Sequence, residues 1–262
     1  SSSTNDGAYN AGDTVLVTIT FSENVTVTGT PSTPQLTLET GSTDDAVLNY
    51  VSGSGTATLV FRYIVVSGHT SPDLSYSSTT ALTLGDSSKI RDNLVNDGVL
   101  TLPVPGATNS LQANKALVID TEAPTAGTVS DGSGTDVTYS GSSTSVTANW
   151  TGFSDALSGI ASYEIAVGTT SGATNVLSWT SAGDVTTYTK SDLSLTHATR
   201  YYVSTRALDA AGNYSSAATA NGVIIDLVAP SSTVSIDSTT YNASEWDAAT
   251  AITGTAADTN SG

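Results

Sequence analysis

The chain has 262 residues, and its 7 basic against 24 acidic side chains leave a formal charge of −17, a field that repels nucleic acid and anionic membrane and draws in cations. Cysteine and methionine are absent, which excludes a disulfide framework, a thiolate metal site and a thiol nucleophile and points to a piece of a longer protein. No apolar stretch approaches a membrane span, and residues 1–10 carry no charged-then-apolar leader pattern. Ser and Thr supply about a third of the residues, yet 38% of the chain is apolar, and the periodic placement of those apolar residues marks folded β-structure rather than disorder.

In chain order, Val15, Val17, Ile19 and Phe21 alternate with Leu16, Thr18 and Thr20, the period of a strand with one buried face. Further short strands are marked by Val25 and Val27, Leu36 and Leu38, Leu59 with Phe61, Tyr63 and Val65, Leu82 and Leu84, and Leu117 with Ile119, separated by Gly, Ser, Asn, Asp or Pro. No segment carries a 3.6-residue apolar stripe. Short strands at this spacing without intervening helices read as all-β sandwiches with Greek-key connections.

Two landmarks recur in order. Asp120-Thr-Glu-Ala-Pro124 returns as Asp226-Leu-Val-Ala-Pro230, and Asp155-Ala-Leu-Ser-Gly159 returns as Asp258-Thr-Asn-Ser-Gly262, each about a hundred residues on, the length of one immunoglobulin-like domain. The repeat divides the chain into domain one at 1–121, domain two at 122–227 and the start of a third at 228–262, in a linear array. Proline restricts both itself and the residue before it, so the Ala-Pro junctions are stiff.

Domain two resembles a fibronectin type III module. Val146, Ala148 and Trp150 take inward positions on strand B, Tyr163, Ile165 and Val167 on strand C, and Tyr201, Val203, Thr205 and Ala207 on strand F. Leu195-Thr-His-Ala-Thr-Arg-Tyr201 is similar to the corner in which a tyrosine hydroxyl bonds upstream backbone, and Asp209-Ala-Ala-Gly-Asn213 to the F–G turn of bacterial immunoglobulin-like modules. In domain one, Asp6-Gly-Ala-Tyr-Asn-Ala-Gly-Asp13 and Phe21-Ser-Glu23-Asn-Val25 resemble the repeats of very large bacterial surface and secreted proteins, with one departure: Asp92-Asn-Leu-Val-Asn96 has no glycine where the turn of domain two has one, which leaves its geometry open.

In such a sandwich the N-terminal linker enters at the end that carries the B–C and F–G loops. This gathers Asp120 and Glu122 from the linker, Asp155 from the B–C loop, and Asp209 with Asn213 from the F–G turn, four carboxylates and an amide oxygen. Too few basic residues are present to neutralise them all, and a hard cation taking six to eight oxygens, Ca²⁺, suits the cluster. Equivalent, incomplete sets are Glu23, Asp92 and Asn96 with Asp6 in domain one, and Asp226 facing Asp258 at the next junction. The competing explanation for any single one of these acids is local: Asp and Asn bond nearby backbone and tolerate turn geometry.

Catalytic signatures are lacking. His69 and His197 sit in turn-forming sequence, there is neither a Gly-x-Ser-x-Gly elbow nor a His-Glu-x-x-His helix, and an array of narrow sandwiches offers no deep cleft; Trp150 reads as core rather than as a sugar platform. The expectation is a non-enzymatic stalk segment of a large extracellular, adhesin-like protein, stiffened by calcium. Its partners would be neighbouring repeats or like subunits, with a cell-surface or polysaccharide target elsewhere on the full protein, and with neither nucleic acid nor membrane insertion. The alternatives are a filament subunit assembled by strand addition, using the short third segment, and an accessory module of a polysaccharide-active enzyme.

Overall fold

The computed structural model describes the chain except for residues 30–32, 42–43, 86, 237–251 and 258–262; Asp258 therefore lies outside the described residues. The fold is all-β. Packing groups the chain into two compact units, the first made of Ser1–Ala126, Phe153–Ser162 and Arg206–Ser216, the second of Gly127–Gly152, Tyr163–Thr205 and Ala217–Gly262.

The first stretch of chain forms β1 (Gly7–Tyr9), β2 (Thr14–Thr28), β3 (Gln35–Glu39), β4 (Ala46–Ser52), β5 (Thr56–Ile64), β6 (Thr70–Ser71), β7 (Ser75–Tyr76), β8 (Leu82–Thr83) and β9 (Lys89–Arg91), then a four-residue helix α1 (Leu111–Asn114) and β10 (Leu117–Asp120). The larger sheet runs β7-β3-β4-β5-β2-β9 with β8 also on β3, and the smaller runs β1-β10-β6. The alternation along β2 buries Val15 and Val17, and the strand pairs with β5 from Thr14↔Ile64 to Thr20↔Thr58. Across the core, Leu36, Leu38, Leu59, Phe61, Leu117 and Ile119 are fully buried, each stabilising the fold by about 1.5–3 kcal/mol relative to an exposed side chain. The helix escapes a periodicity reading because four residues carry no stripe; the Ser110 hydroxyl caps it by accepting the Ala113 N–H at 3.1 Å. β1 lies parallel to β10, from Gly7↔Leu117 to Tyr9↔Ile119.

The chain continues through β11 (Thr128–Asp131), β12 (Tyr139–Ser140), β13 (Val146–Thr151), β14 (Ile160–Gly168), β15 (Leu177–Gly183), β16 (Thr187–Lys190), β17 (Arg200–Asp209), β18 (Ala218–Thr219) and β19 (Val223–Ile225). One sheet has the order β11-β13-β16 and the other β12-β19-β17-β14-β15, with β18 on β17. Val146, Ala148, Trp150, Tyr163, Ile165, Val167, Tyr201, Val203, Thr205 and Ala207 are all buried, as their alternation requires. Trp150 packs on Tyr163 with ring centroids 5.4 Å apart. At the corner before β17, the Tyr201 hydroxyl accepts the Thr196 N–H at 2.9 Å. Last come β20 (Ser231–Ile236) and β21 (Ile252–Ala257), an antiparallel pair.

Candidate metal centre

Asp120 is the last residue of β10, Asp155 lies in the loop from β13 to β14, and Asp209 is the last residue of β17. One carboxyl oxygen from each lies within 4.8 Å of the others, and all three residues belong to the first compact unit. Asp120 and Asp209 are buried at 0% and 2% exposure, and Asp155 is half-buried.

Local hydrogen bonds fix each carboxylate. The Oδ1 of Asp155 accepts the N–H groups of Leu157, Ser158 and Gly159 at 3.1, 2.9 and 2.8 Å, which folds the Asp-x-x-Ser-Gly loop around its own side chain. Ser158 also donates to the Oδ2 of Asp120 from its N–H at 3.1 Å and its hydroxyl at 2.5 Å, while the Oδ1 of Asp120 accepts the Glu122 N–H at 3.0 Å. Asp209 accepts the Asn213 N–H on Oδ1 and the Asn213 side-chain amide on Oδ2, both at 2.8 Å; that amide also reaches the Asp120 carbonyl oxygen at 3.1 Å. None of the three carboxylates forms an ion pair among the described residues. Three like charges at this spacing repel one another, a cost that a bound cation removes.

The expected set is thus reduced and altered in detail. Glu122 is exposed and enters through its backbone N–H, which the Asp120 Oδ1 accepts. Asn213 acts through its NH₂ group, as a donor to Asp209 and to backbone, rather than through its amide oxygen. Ser158, which ties Asp120 to Asp155, was not singled out from the sequence. Its signal was present, since the serine keeps its place in both copies of the Asp-x-x-Ser-Gly landmark.

Among the described residues no other three acids or histidines bring ligand atoms so close. Glu23, Asp92 and Asn96 line one groove of about 330 Å³ together with Asp97, which pairs with Arg91 at 2.7 Å. Asp6 lies apart from that groove, 3.7 Å from the Lys115 ammonium and accepting the Ala116 N–H at 3.2 Å. Asp226 repeats the turn of Asp120, its Oδ1 accepting the Val228 N–H at 3.0 Å, and has His197 as a neighbour at 3.7 Å.

Both histidines are engaged in structure. The Nδ1 of His69 is 2.8 Å from the Tyr63 hydroxyl with the rings stacked, and the Nδ1 of His197 accepts the Leu227 N–H at 3.1 Å. Burial pushes the Tyr63 hydroxyl well above the ordinary tyrosine range.

The donors at the Asp120 centre are all oxygen, as a hard cation prefers. Three carboxylates leave room for backbone carbonyls and water to complete the six to eight ligands of Ca²⁺, whereas Mg²⁺ demands a near-ideal octahedron. By chemistry the residues fit calcium.

No protein-family model and no curated protein matches the chain. Among solved structures it is similar to domains A168–A170 of titin (17% identity, TM-score 0.37, covering 84% of this chain and 61% of that one) and to the FN1–FN3 domains of chicken CNTN1 (15%, 0.37, 86% and 64%). It is also similar to fibronectin(III)-like modules of Clostridium thermocellum CbhA (12%, 0.32, 86% and 93%). The chain thus spans under two thirds of the first two. With the sheet orders above and the Tyr201 corner, the architecture is that of immunoglobulin-like and fibronectin type III-like β-sandwiches.

Proposed function

We propose that the chain is a stalk segment of a large bacterial cell-surface or secreted adhesin-like protein, and that Ca²⁺ held by Asp120, Asp155 and Asp209 stiffens it. The observation that supports this reading is the convergence, from three distant stretches of the chain, of three carboxylates that form no ion pair among the described residues. One ion there cross-links the end of β10, the β13–β14 loop and the end of β17, replacing mutual repulsion by shared coordination. Extracellular modules bind Ca²⁺ with Kd around 10⁻⁴–10⁻³ M, so the site would fill outside a cell and stay empty in a cytosol.

The test is thermal unfolding of the full chain in millimolar Ca²⁺ and in chelator, with Mg²⁺ as control. Tenfold excess over Kd stabilises by about 1.4 kcal/mol, a shift of several degrees that Asp155→Asn should abolish. Superimposable melts would sink the calcium reading.

A filament subunit assembled by strand addition is the second reading. It is favoured by the β20–β21 pair, which among the described residues forms a sheet of two strands and exposes Val234 at 72%, since such a pair is marginal on its own and is stabilised by a further strand. Concentration-dependent self-association, lost on deleting residues 228–262, would support it; a monomer at all concentrations would not.

A further inference from the structure

Asp131 ends β11 and is fully buried in the second compact unit. Its Oδ2 accepts the Gly222 N–H at 2.9 Å, while its Oδ1, equally buried, has no hydrogen-bond partner among the described residues. A buried carboxylate oxygen without a donor is costly, and carrying a proton is one way to remove that cost.

The surroundings bear on the same two residues, Asn221 and Gly222, at the entry to β19. Asp136, from the loop after β11, accepts the Asp131 N–H on Oδ1 at 2.9 Å and the Asn221 side-chain amide on Oδ2 at 2.8 Å. Arg200 of β17 donates from Nη1 to the carbonyl oxygens of Asn221, at 3.3 Å, and of Gly222. The Tyr202 ring lies against Gly222, and the residue opposite Asp131 on β13 is Ala148, which does not titrate. The charges acting on Asp131 are therefore Asp136, which disfavours its ionisation, and Arg200, which favours it.

We propose that Asp131 is a proton-operated clasp on Gly222 at the entry to β19: protonated, it sits in its buried place without a charge, and as the proton leaves, a buried charge beside Asp136 disfavours the closed form and that entry opens more readily. Burial is the largest influence and pushes the carboxyl up to about 6, against the pull of the Gly222 N–H. A carboxyl held above its unfolded value of 3.8 binds more protons folded than unfolded between the two, so its contribution to stability falls as pH rises through that window.

The test is hydrogen exchange of the Gly222 amide in the full chain at about pH 5 and about pH 7.5, corrected for intrinsic exchange; one pKa displacement of a unit corresponds to a tenfold change. Protection should fall about tenfold or more on raising the pH, should not change with pH in Asp131→Asn, and should fall at lower pH in Asp136→Asn, where the neighbouring charge is gone. A wild-type protection factor that is flat with pH, or an equal change in Asp131→Asn, would overturn the clasp. If Asp131→Asn does not fold, the side-chain carboxyl carbon resonance of Asp131 in the wild type decides: a titration midpoint above about 4.5 supports the proposal and one at or below it overturns it.

Discussion

Asp92 grips Asn96 in the way Asp209 grips Asn213. In both turns the Asp N–H donates to the Asn carbonyl oxygen at 3.1 Å, the Asp Oδ1 accepts the Asn N–H at 2.8 Å, and the Asp Oδ2 accepts the Asn side-chain amide, at 2.6 Å in the first and 2.8 Å in the second. The turn of domain one thus survives the loss of its glycine. Gly212 meets the left-handed backbone with φ 98°, and Val95 is held in the same region at φ 69°. A β-branched residue is poorly suited to that region, and the Asp–Asn bonds hold it there.

Val95→Gly should therefore stabilise the first sandwich. Val95 is 64% exposed, so little packing is lost, and relief of about 1–2 kcal/mol of backbone strain exceeds the 0.5–1 kcal/mol entropic cost of glycine. Chemical denaturation should show a gain of about 0.5–1 kcal/mol. A loss of stability would mean that Val95 is not strained.

Acid should undo the Asp92 turn. Hydrogen bonds from the Asn96 side chain and backbone, with the Leu94 N–H, hold the Asp92 carboxyl below its ordinary value of 3.8. A carboxyl depressed in the folded state contributes stability that is present above the unfolded value and is lost as pH falls through the folded one. Amide exchange at Asn96 should accelerate below about pH 4 beyond the intrinsic trend, and Asp92→Asn should remove that acid-dependent step; an Asn96 amide indifferent to acid in the wild type would contradict it.

Asp155→Ala and Asp209→Ala should each weaken calcium binding, and together they should weaken it little more than the worse of the two alone, because side chains that share one ligand are not additive. Calorimetric titration of the four chains is the measurement. Plainly additive losses would place the two aspartates at different ions.

Tyr201→Phe removes the acceptor for the Thr196 N–H while keeping the ring in the core. A loss of about 1 kcal/mol is expected, the net value of one such bond. The unfolding transition assigned to the first sandwich should not move, which makes the variant a probe of whether the sandwiches unfold separately.

The cores were legible in the sequence because alternation is a local property: Val15 and Val17, or Val146, Ala148 and Trp150, declare a buried face by spacing alone. The convergence of Asp120, Asp155 and Asp209 could be anticipated because antiparallel connections return alternate loops to one end of a sandwich. Side-chain direction within a turn could not. The Asx turn at Asp120 and the Asp209–Asn213 turn decide which neighbour offers an N–H and which is carried outward, and this exposed Glu122 and made Asn213 a donor. Asp6 went to Lys115 because β1 pairs with β10 and so brings the residues just ahead of each together, a pairing between distant strands that no periodicity announces. The Asp131–Asp136–Asn221 set has the same character, joining residues with no regular spacing.

The parallel pairing of β1 with β10 has a counterpart in β12 with β19, where Tyr139 faces Ile224 and Ser140 faces Ile225. In each case a strand near the beginning of a sandwich lies beside the strand that leaves it, pointing the same way. Tension applied along the polypeptide draws two such strands past each other lengthwise, so the rungs between them are loaded in shear together rather than peeled apart one after another. Rupture then requires several hydrogen bonds to fail at once, which raises the barrier governing forced unfolding. Each latch joins an early strand of its sandwich to the strand by which the chain departs, so tension along the polypeptide would load the two latches separately.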